Sequence, residues 1–426
     1  MSPSSRQIVQ GTHRVPGDKS LTHRALMLAA LAPGQSVLGG ALVSLDARSS
    51  ARVLRALGAE ISPLRTDATV RIRGRQRFRP PTTVLQCGNS GTTARLLLGL
   101  LAGHPLKATL TGDASLRRRP MRRVTDPLVR MGAKVTNQAG DGLPLTIQGG
   151  DLIPLEWRLP VASAQIKSAL LLAGTVAGCP VTLHQPSASR DHTERLLRHF
   201  GFTITEYDGR LDFLPTGRLE PFEFQVPGDP SSAAFLVAAA LLADSGEIQL
   251  VEVGCNPSRL GFLNVLRRMG ANVKVAGVTT PFGEPIGELT ARPAKLNAVT
   301  VEPGEVAAVI DEIPILACVA ARASGVSTFR GLAELRVKES DRLALLAENL
   351  RAVGVEAAAE GDDLHLVGTD RRLKGKVRTG GDHRIAMAFT VLGLRPGNRI
   401  VVDDLDCAAV SFPGFPEALA ALVAAR

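Results

Sequence analysis

Pro16-Gly17-Asp18-Lys19-Ser20-Leu21-Thr22-His23-Arg24-Ala25-Leu26-Met27-Leu28-Ala29-Ala30 reads as a tight turn, a helix start carrying Lys and Arg, and then an almost wholly apolar helix. A helix buried on all sides but polar in its first turn points its unpaired N–H groups and positive dipole end at a polar space, which suits an anion. The design returns along the chain. Gly88-Asn89-Ser90-Gly91-Thr92-Thr93-Ala94-Arg95 precedes LLLGLLAG, Ser163-Ala164-Gln165-Ile166-Lys167-Ser168 precedes ALLLAGTVAG, and Gly228-Asp229-Pro230-Ser231-Ser232 precedes AAFLVAAALL. Asp311-Glu312 heads IPILACVAARASG, and Asp382-His383-Arg384 heads IAMAFTVLGL. Six such starts, about 70 residues apart, signal a repeated supersecondary unit.

A second marker keeps the same beat: LRALGAEI ending at Ile61, LVRMGAKV at Val135, LRHFGFTI at Ile204, LRRMGANV at Val273 and LRAVGVEA at Ala357. Each reads as the end of an amphipathic helix, a Gly in the left-handed region, then a strand. The last unit breaks the pattern, since the chain ends at ALAALVAAR. The fold class is therefore α/β, with one buried and one half-exposed helix per unit. The phrase Val15-Pro16-Gly17-Asp18 has a counterpart in Val226-Pro227-Gly228-Asp229. If both Pro-Gly turns are crossovers, residues 16–227 form an inserted domain of three units, residues 1–15 join 228–426 as a discontinuous second, and the paired linkers make a hinge. A solenoid without chemistry fits the same periodicity.

The chain of 426 residues, 45% of them apolar, is long enough for two domains with full cores. No uninterrupted apolar run of about 18 residues occurs and the N-terminus lacks a secretory pattern, so a soluble protein of the cytoplasm is expected, with no membrane partner. Cys87, Cys179, Cys255, Cys318 and Cys407 are scattered, which argues against a metal site or a disulfide framework. A net charge of +10 fits nucleic acid, a membrane surface or small acidic substrates. Aromatic residues are only 4% and the cations cluster at helix starts, so small anions are favoured over nucleic acid.

Taken in order, Asp46 is the expected N-cap of an amphipathic helix running to Ala59, and RIRGRQRFRP (71–80) reads as a solvated face or hairpin. Leu116-Arg117-Arg118-Arg119-Pro120-Met121-Arg122-Arg123 sets five arginines around a Pro suited to a first helical turn. An Arg just ahead of a helix is well placed to fork onto phosphate or carboxylate. Lys167 is expected to snorkel to the surface. Ser189-Arg190-Asp191-His192-Thr193-Glu194 has the form of a capping box, with Arg190 an added cation and His192 structural. In Arg336-Val337-Lys338-Glu339-Ser340-Asp341-Arg342-Leu343, Lys338 and Arg342 are expected on one helix face with Glu339 one step round. Two like cations on one face are mutually unfavourable unless an anion lies between them.

The phrases PGDKSLTHRALMLAALA, GNSGTTARL, RRRPM, SAQIKSALLLAG, SRDHTE, DEIPILA, RVKESDRL and GGDHRIAMAF together resemble the 5-enolpyruvylshikimate-3-phosphate synthase family, in order from Val15 to about Phe415. SRDHTE and RVKESDRL look like its bacterial class II branch. The resemblance implies a two-domain inside-out α/β barrel of six βαβαββ units, three per domain, with helix N-termini facing an interdomain cleft that holds the active site. It implies transfer of the enolpyruvyl group of phosphoenolpyruvate to the 5-hydroxyl of shikimate 3-phosphate through a tetrahedral ketal, with no metal and no cofactor, in a monomer.

Carried over by motif, Lys19, Ser20, Arg24, Ser163, Ala164, Gln165, Ser189, Arg190, Asp311 and Lys338 would meet shikimate 3-phosphate. Lys19, Asn89, Gly91, Thr92, Arg119, Gln165, Arg342 and Arg384 would meet phosphoenolpyruvate. Asp311 would accept the 5-hydroxyl proton, Glu339 would protonate the methylene carbon, and Lys19 and Lys338 would bridge the reacting groups. Both substrates are polyanions, so cations and helix ends must offset their repulsion in a dry cleft. Adding a proton to one carbon while removing one from an alcohol needs an acid and a base held apart, with the Glu339 carboxyl expected above its ordinary range.

Val410 stands before Ser411-Phe412-Pro413 where many class I members carry a Lys. Gly91 occupies the place where Ala confers glyphosate tolerance in some relatives, so glyphosate is expected to inhibit. The sister family acting on UDP-N-acetylglucosamine would need a reactive Cys where Ala114 stands. A basic RNA-binding or RNA-end-processing protein remains a rival of another class, discriminated by salt-dependent RNA binding.

Overall fold

Residues 85–148 show the repeat in full. Strand Leu85–Gln86 leads to the buried helix Gly91–Ala102, strand Lys107–Thr111, the amphipathic helix Arg122–Arg130 and a hairpin of Lys134–Asn137 with Leu145–Gln148. The first two strands run parallel, joined by the buried helix, and the hairpin adds antiparallel with its second strand innermost. A parallel pair needs a crossover, and the long apolar run is what can cover the sheet between them.

The same βαβαββ order builds the sheets of Leu155–Arg158 with Val181–His184, Thr203–Tyr207 and Arg210–Leu214, and of Thr300–Val301 with Val326–Phe329, Ala357–Glu360 and Asp363–Val367. Two sheets borrow their leading strand from a distance: Glu223–Gln225 lies parallel to Gly34–Gly39, and Gly11–His13 lies parallel to Ile248–Gly254. Among the described residues the last repeat has only the parallel pair Lys374–Val377 and Arg399–Val402, and Val423–Ala425 pairs antiparallel with Gln7–Val9 instead.

The computed structural model describes residues 6–66, 68–137 and 140–425. The chain divides into two compact units, one of Met1–Pro16, Pro227–Thr280 and Pro285–Arg426, the other of Gly17–Val226 and Pro281–Glu284. Each has its own apolar core, around Leu26, Leu97, Leu170 and Phe213 in one and Phe235, Phe262, Leu316 and Phe389 in the other. Full burial of a side chain such as Leu26 contributes about 2 kcal/mol over leaving it in water. Close approach matters too: a Cβ on Gly99 would collide with the Ala169 carbonyl of the neighbouring buried helix. The marker glycines take positive φ, +99° at Gly58 and +115° at Gly132, where a side chain would be strained. No helix among the described residues is long and apolar enough to cross a membrane.

Four local expectations are corrected. Ser44, not Asp46, caps helix Leu45–Ala56, its hydroxyl accepting from the Ala47 N–H at 3.3 Å. Pro120 does not open a helix: the first-turn N–H groups of Met121 and Arg122 donate to Asp141, and the helix holds Pro127 instead. The capping box at Ser189–Glu194 does not form, because helix His192–His199 starts after Asp191 and has no side-chain cap bond. Lys338 and Glu339 are not helical, since helix Arg342–Ala352 begins only where Asp341 accepts from the Ala344 N–H at 3.0 Å. In RIRGRQRFRP, Val70–Gly74 is an inner strand whose Ile72 is buried while Arg71 and Arg73 face solvent, and Phe78 is buried against His104.

Candidate active site

In the unit of residues 17–226, three buried helices present polar starts. Asp18 caps the first, accepting from the Leu21 N–H at 2.7 Å, and Lys19 at its first position reaches Asp46 at 3.2 Å. Ser20 is half-buried, and its carbonyl accepts from Arg24 Nη1 at 3.0 Å. Arg24 is buried: its Nε donates to Thr193 Oγ1 and its Nη2 to Ser168 Oγ, both at 2.7 Å. Burial draws the Arg24 guanidinium down to about 10, against the opposing pull of Glu194, Asp18 and Glu284. Burial likewise pushes His23 down to about 3, aided by Lys19 and Arg24, so its ring is neutral and bonds Ser50 at 2.7 Å. Ser50 continues to Thr93 at 2.8 Å and Thr93 to Ser90, the cap of the Gly91–Ala102 helix.

Asn89, Gly91 and Thr92 surround that second helix start. Asn89 donates to Asp113 Oδ2 at 2.7 Å and its carbonyl oxygen accepts from Arg119. Ser163 caps the third helix and Ala164 and Gln165 open it, all three half-buried. Gln165 ties the two together, donating to Thr92 Oγ1 at 2.9 Å and accepting from Arg95 Nη1 at 2.6 Å. Ser189 and Arg190 lie ahead of helix His192–His199. Lys167 does not snorkel: it is 1% exposed and pairs with Glu194 at 2.5 Å, its Nζ also donating to the Ser189 carbonyl at 3.3 Å. Burial raises the Glu194 carboxyl above its ordinary value even against the Lys167 ammonium.

The other unit gathers Asp311, Lys338, Glu339, Arg342 and Arg384. The Asp311 carboxylate lies 3.8 Å from Lys338 Nζ, 3.9 Å from Arg342 Nη1 and 3.6 Å from Arg384 Nη2, and Arg384 Nη1 donates to its carbonyl at 2.9 Å. Arg342 is wholly buried, with Nε on Asp382 at 2.8 Å and Nη2 on Glu339 at 2.6 Å. Burial alone would lower the Arg342 guanidinium, but Asp382, Glu339 and Asp311 together raise it. Burial opposes ionisation of Asp382 in turn, and Arg342 overcomes it, so its carboxyl sits below the ordinary range. Val410 ends the 3-10 turn Asp406–Val410, half-buried beside buried Ser411.

The sequence reading missed the partners that hold these groups. Asp382 both caps helix His383–Gly393 and grips Arg342, Ser168 and Thr193 grip Arg24, and Asp46 grips Lys19. Arg259, 2% exposed, donates to Asp229 Oδ1 at 2.8 Å and Ser231 Oγ at 3.0 Å, and Ser231 donates to Glu312. Asp382 lay within a quoted motif, one residue before His383. Ser168, Thr193, Asp46, Asp229, Ser231 and Glu312 likewise lay within quoted stretches, whose spacing does not show which side chains meet, and Arg259, in the turn Pro257–Arg259, carried no local signal. No cluster of three or more His, Cys, Asp or Glu side chains suited to a metal ion occurs among the described residues.

One unit thus offers hydroxyl, amide and guanidinium donors at helix starts, and the other a carboxylate ringed by three cations beside a second carboxylate. Comparison with known proteins gives this chemistry a family. The family model for EPSP synthase (3-phosphoshikimate 1-carboxyvinyltransferase) matches residues 3–419. Proteins named 3-phosphoshikimate 1-carboxyvinyltransferase from two Thermus thermophilus strains are 49% and 50% identical, each alignment covering 98% of this chain and 97% of the relative. The structure of EPSP synthase from Acinetobacter baumannii superposes with a TM-score of 0.86 at 35% identity, covering 99% of both chains. An enolpyruvyl transferase from Streptomyces tendae, at 20% identity and a TM-score of 0.78, shares the fold. Matched over nearly all its length in sequence and in fold, the chain belongs to the EPSP synthase family.

Proposed function

We infer that this chain transfers the enolpyruvyl group of phosphoenolpyruvate to the 5-hydroxyl of shikimate 3-phosphate, giving 5-enolpyruvylshikimate 3-phosphate and phosphate. The carrying observation is the Asp311 carboxylate set among Lys338, Arg342 and Arg384, with Glu339 on the same arginine. Asp311 takes the proton of the 5-hydroxyl as its oxygen bonds to C2 of phosphoenolpyruvate, and Glu339 gives a proton to C3, forming the ketal. In the second step the C2–O bond to phosphate breaks, the leaving phosphate takes the proton held by Asp311, and the new methyl returns a proton to Glu339. Glu339 accepts from Arg342 Nη2 at 2.6 Å, so delivering its proton to C3 requires that contact to loosen when substrate binds.

Lys19, Ser20, Arg24, Ser163, Ala164, Gln165, Ser189, Arg190, Asp311 and Lys338 receive shikimate 3-phosphate. Asn89, Gly91, Thr92, Arg119, Arg342 and Arg384 receive phosphoenolpyruvate, with Lys19 and Gln165 shared. Arg24 keeps part of its donor set on Thr193 and Ser168, so it acts through its field and remaining N–H groups. The test is phosphate release from phosphoenolpyruvate without added metal, with shikimate 3-phosphate and UDP-N-acetylglucosamine offered in parallel. Release only with shikimate 3-phosphate is expected. Release only with the sugar nucleotide would overturn the acceptor.

Glyphosate competes with phosphoenolpyruvate in this reading. A Cβ at Gly91 would come within 3.2 Å of Arg95 Nη1 and 3.3 Å of Arg119 Nη1, contacts that flexible arginines relieve by moving. Gly91→Ala is expected to weaken inhibition by about tenfold or more while the KM for phosphoenolpyruvate changes less, as inhibition curves at several phosphoenolpyruvate levels would show. In this reading the protein acts in the cytoplasm as a monomer. Sedimentation at micromolar concentration checks the oligomeric state.

A further inference from the structure

We propose that the buried Lys167–Glu194 pair is a clasp that positions Ser189 and Arg190 for the phosphate of shikimate 3-phosphate, so that both charged residues act in acceptor binding without touching the acceptor. The inference rests on the assignment of Ser189 and Arg190 to that substrate. Lys167 lies on helix Ala164–Ala177 and Glu194 on helix His192–His199, and their side chains are 1% and 0% exposed. The ammonium sits 2.5 Å from Glu194 Oε1 and donates to the Ser189 carbonyl at 3.3 Å. One residue along each helix a second rung repeats the link: Thr193 Oγ1 donates to Ser168 Oγ at 2.7 Å, and Arg24 donates to both hydroxyls.

Residues 185–191 have no helix or strand of their own. Backbone bonds anchor the two ends of this segment, Gln185 N–H to the Gly209 carbonyl at 2.7 Å and Arg195 N–H to the Asp191 carbonyl at 3.0 Å. Between them Lys167 holds the Ser189 carbonyl, while the Ser189 hydroxyl reaches Gln185 Oε1 at 3.4 Å. A buried ion pair is a poor source of stability, because desolvation offsets most of the attraction and apolar side chains of similar volume pack as well. What it supplies is direction. The ammonium has three donors, and spending one on the Ser189 carbonyl fixes the loop that carries Ser189 and Arg190. Glu194 also supplies the strongest attractive field on Arg24, so the same carboxylate serves two acceptor groups.

The experiment is calorimetric binding of shikimate 3-phosphate to wild type, to Lys167→Met/Glu194→Met and to Glu194→Gln, with steady-state KM and kcat on the same samples. The double variant is expected to fold with an unchanged melting temperature and to lose about tenfold or more in acceptor affinity, the KM for shikimate 3-phosphate rising while kcat falls far less. Glu194→Gln keeps an oxygen for Lys167 and is expected to recover most of the affinity. Wild-type affinity in a folded double variant would overturn the clasp. Absence of binding by wild type would instead overturn the acceptor reading on which it rests. Hydrogen exchange of residues 185–191 in the free wild-type enzyme needs no variant: slow exchange is expected, and exchange at the rate of an unstructured loop would overturn the proposal.

Discussion

The helix that starts at Lys19 and the one that starts at Pro230 follow the same phrase, Val-Pro-Gly-Asp, and then part. Asp18 accepts from the Leu21 N–H at 2.7 Å and Asp229 from the Ser231 N–H at 2.8 Å, so both backbones are opened by the same cap. Beyond it, Lys19 stands against Pro230, His23 against Ala234 and Arg24 against Phe235. The first helix carries its own buried polar groups and must feed each one: Thr193 and Ser168 for Arg24, Ser50 for His23. The second is apolar from Ala233 onward, and its charge is brought by Arg259 from a separate turn. The repeat thus conserves a way of starting a helix, while the charges that do chemistry are placed freely on it or around it.

The largest expected effect tests where that chemistry sits in the second unit. If it lies on the Asp311 cluster and not on the helix matching Lys19–Leu31, Asp311→Asn should lower kcat by roughly a thousandfold in a phosphate-release assay. A loss below tenfold would move the base elsewhere. Next, Arg259→Met strips Asp229 and Ser231 of their cation, and urea unfolding should show a loss of about 3 kcal/mol. An unchanged midpoint would mean that the borrowed charge is dispensable and the two helices are more alike than their contacts suggest.

His23 sharpens the comparison through pH. Its folded pKa of about 3 lies below the ordinary 6.5, so on acidification the unfolded chain takes up a proton that the folded one refuses. Stability from this group is full above pH 6.5 and is lost as pH falls towards 3. Between pH 7 and 5 the loss is about 2 kcal/mol. Melting curves of His23→Gln should lose that part of the slope, whereas Ala234 gives the matching helix nothing to titrate. The smallest effect is the cap: Asp18→Ala should cost about 1 kcal/mol. Asp229→Ala should cost more, because it also leaves Arg259 without its carboxylate, and equal costs in urea unfolding would contradict that difference.

Most of the architecture was legible because its signals are short. A buried helix declares itself by an apolar run, its start by Asp18, Ser90, Ser163 or Asp229, and the following strand by a glycine such as Gly58. The errors fell where two local signals compete. Ser44 and Asp46 are both cap residues, and only the turn before the helix decides between them. The box Ser189–Glu194 and the lone Lys167 were each read locally, and each was misread because they answer one another. Lys338 looked helical by spacing, but Asp341 starts the helix three residues later.

By itself the sequence determined the α/β repeat, the polar starts of its buried helices and the residue types gathered there, since these depend on neighbours within one helical turn. Tertiary structure alone decided the partners. Lys19 meets Asp46 across 27 residues, Arg342 meets Asp382 across 40, and Arg24 meets Thr193 across 169. It also set which charges are neutralised in place, such as Arg342 on Asp382 and Glu339, because desolvation and Coulomb energy depend on distance and burial, which spacing along a chain does not encode.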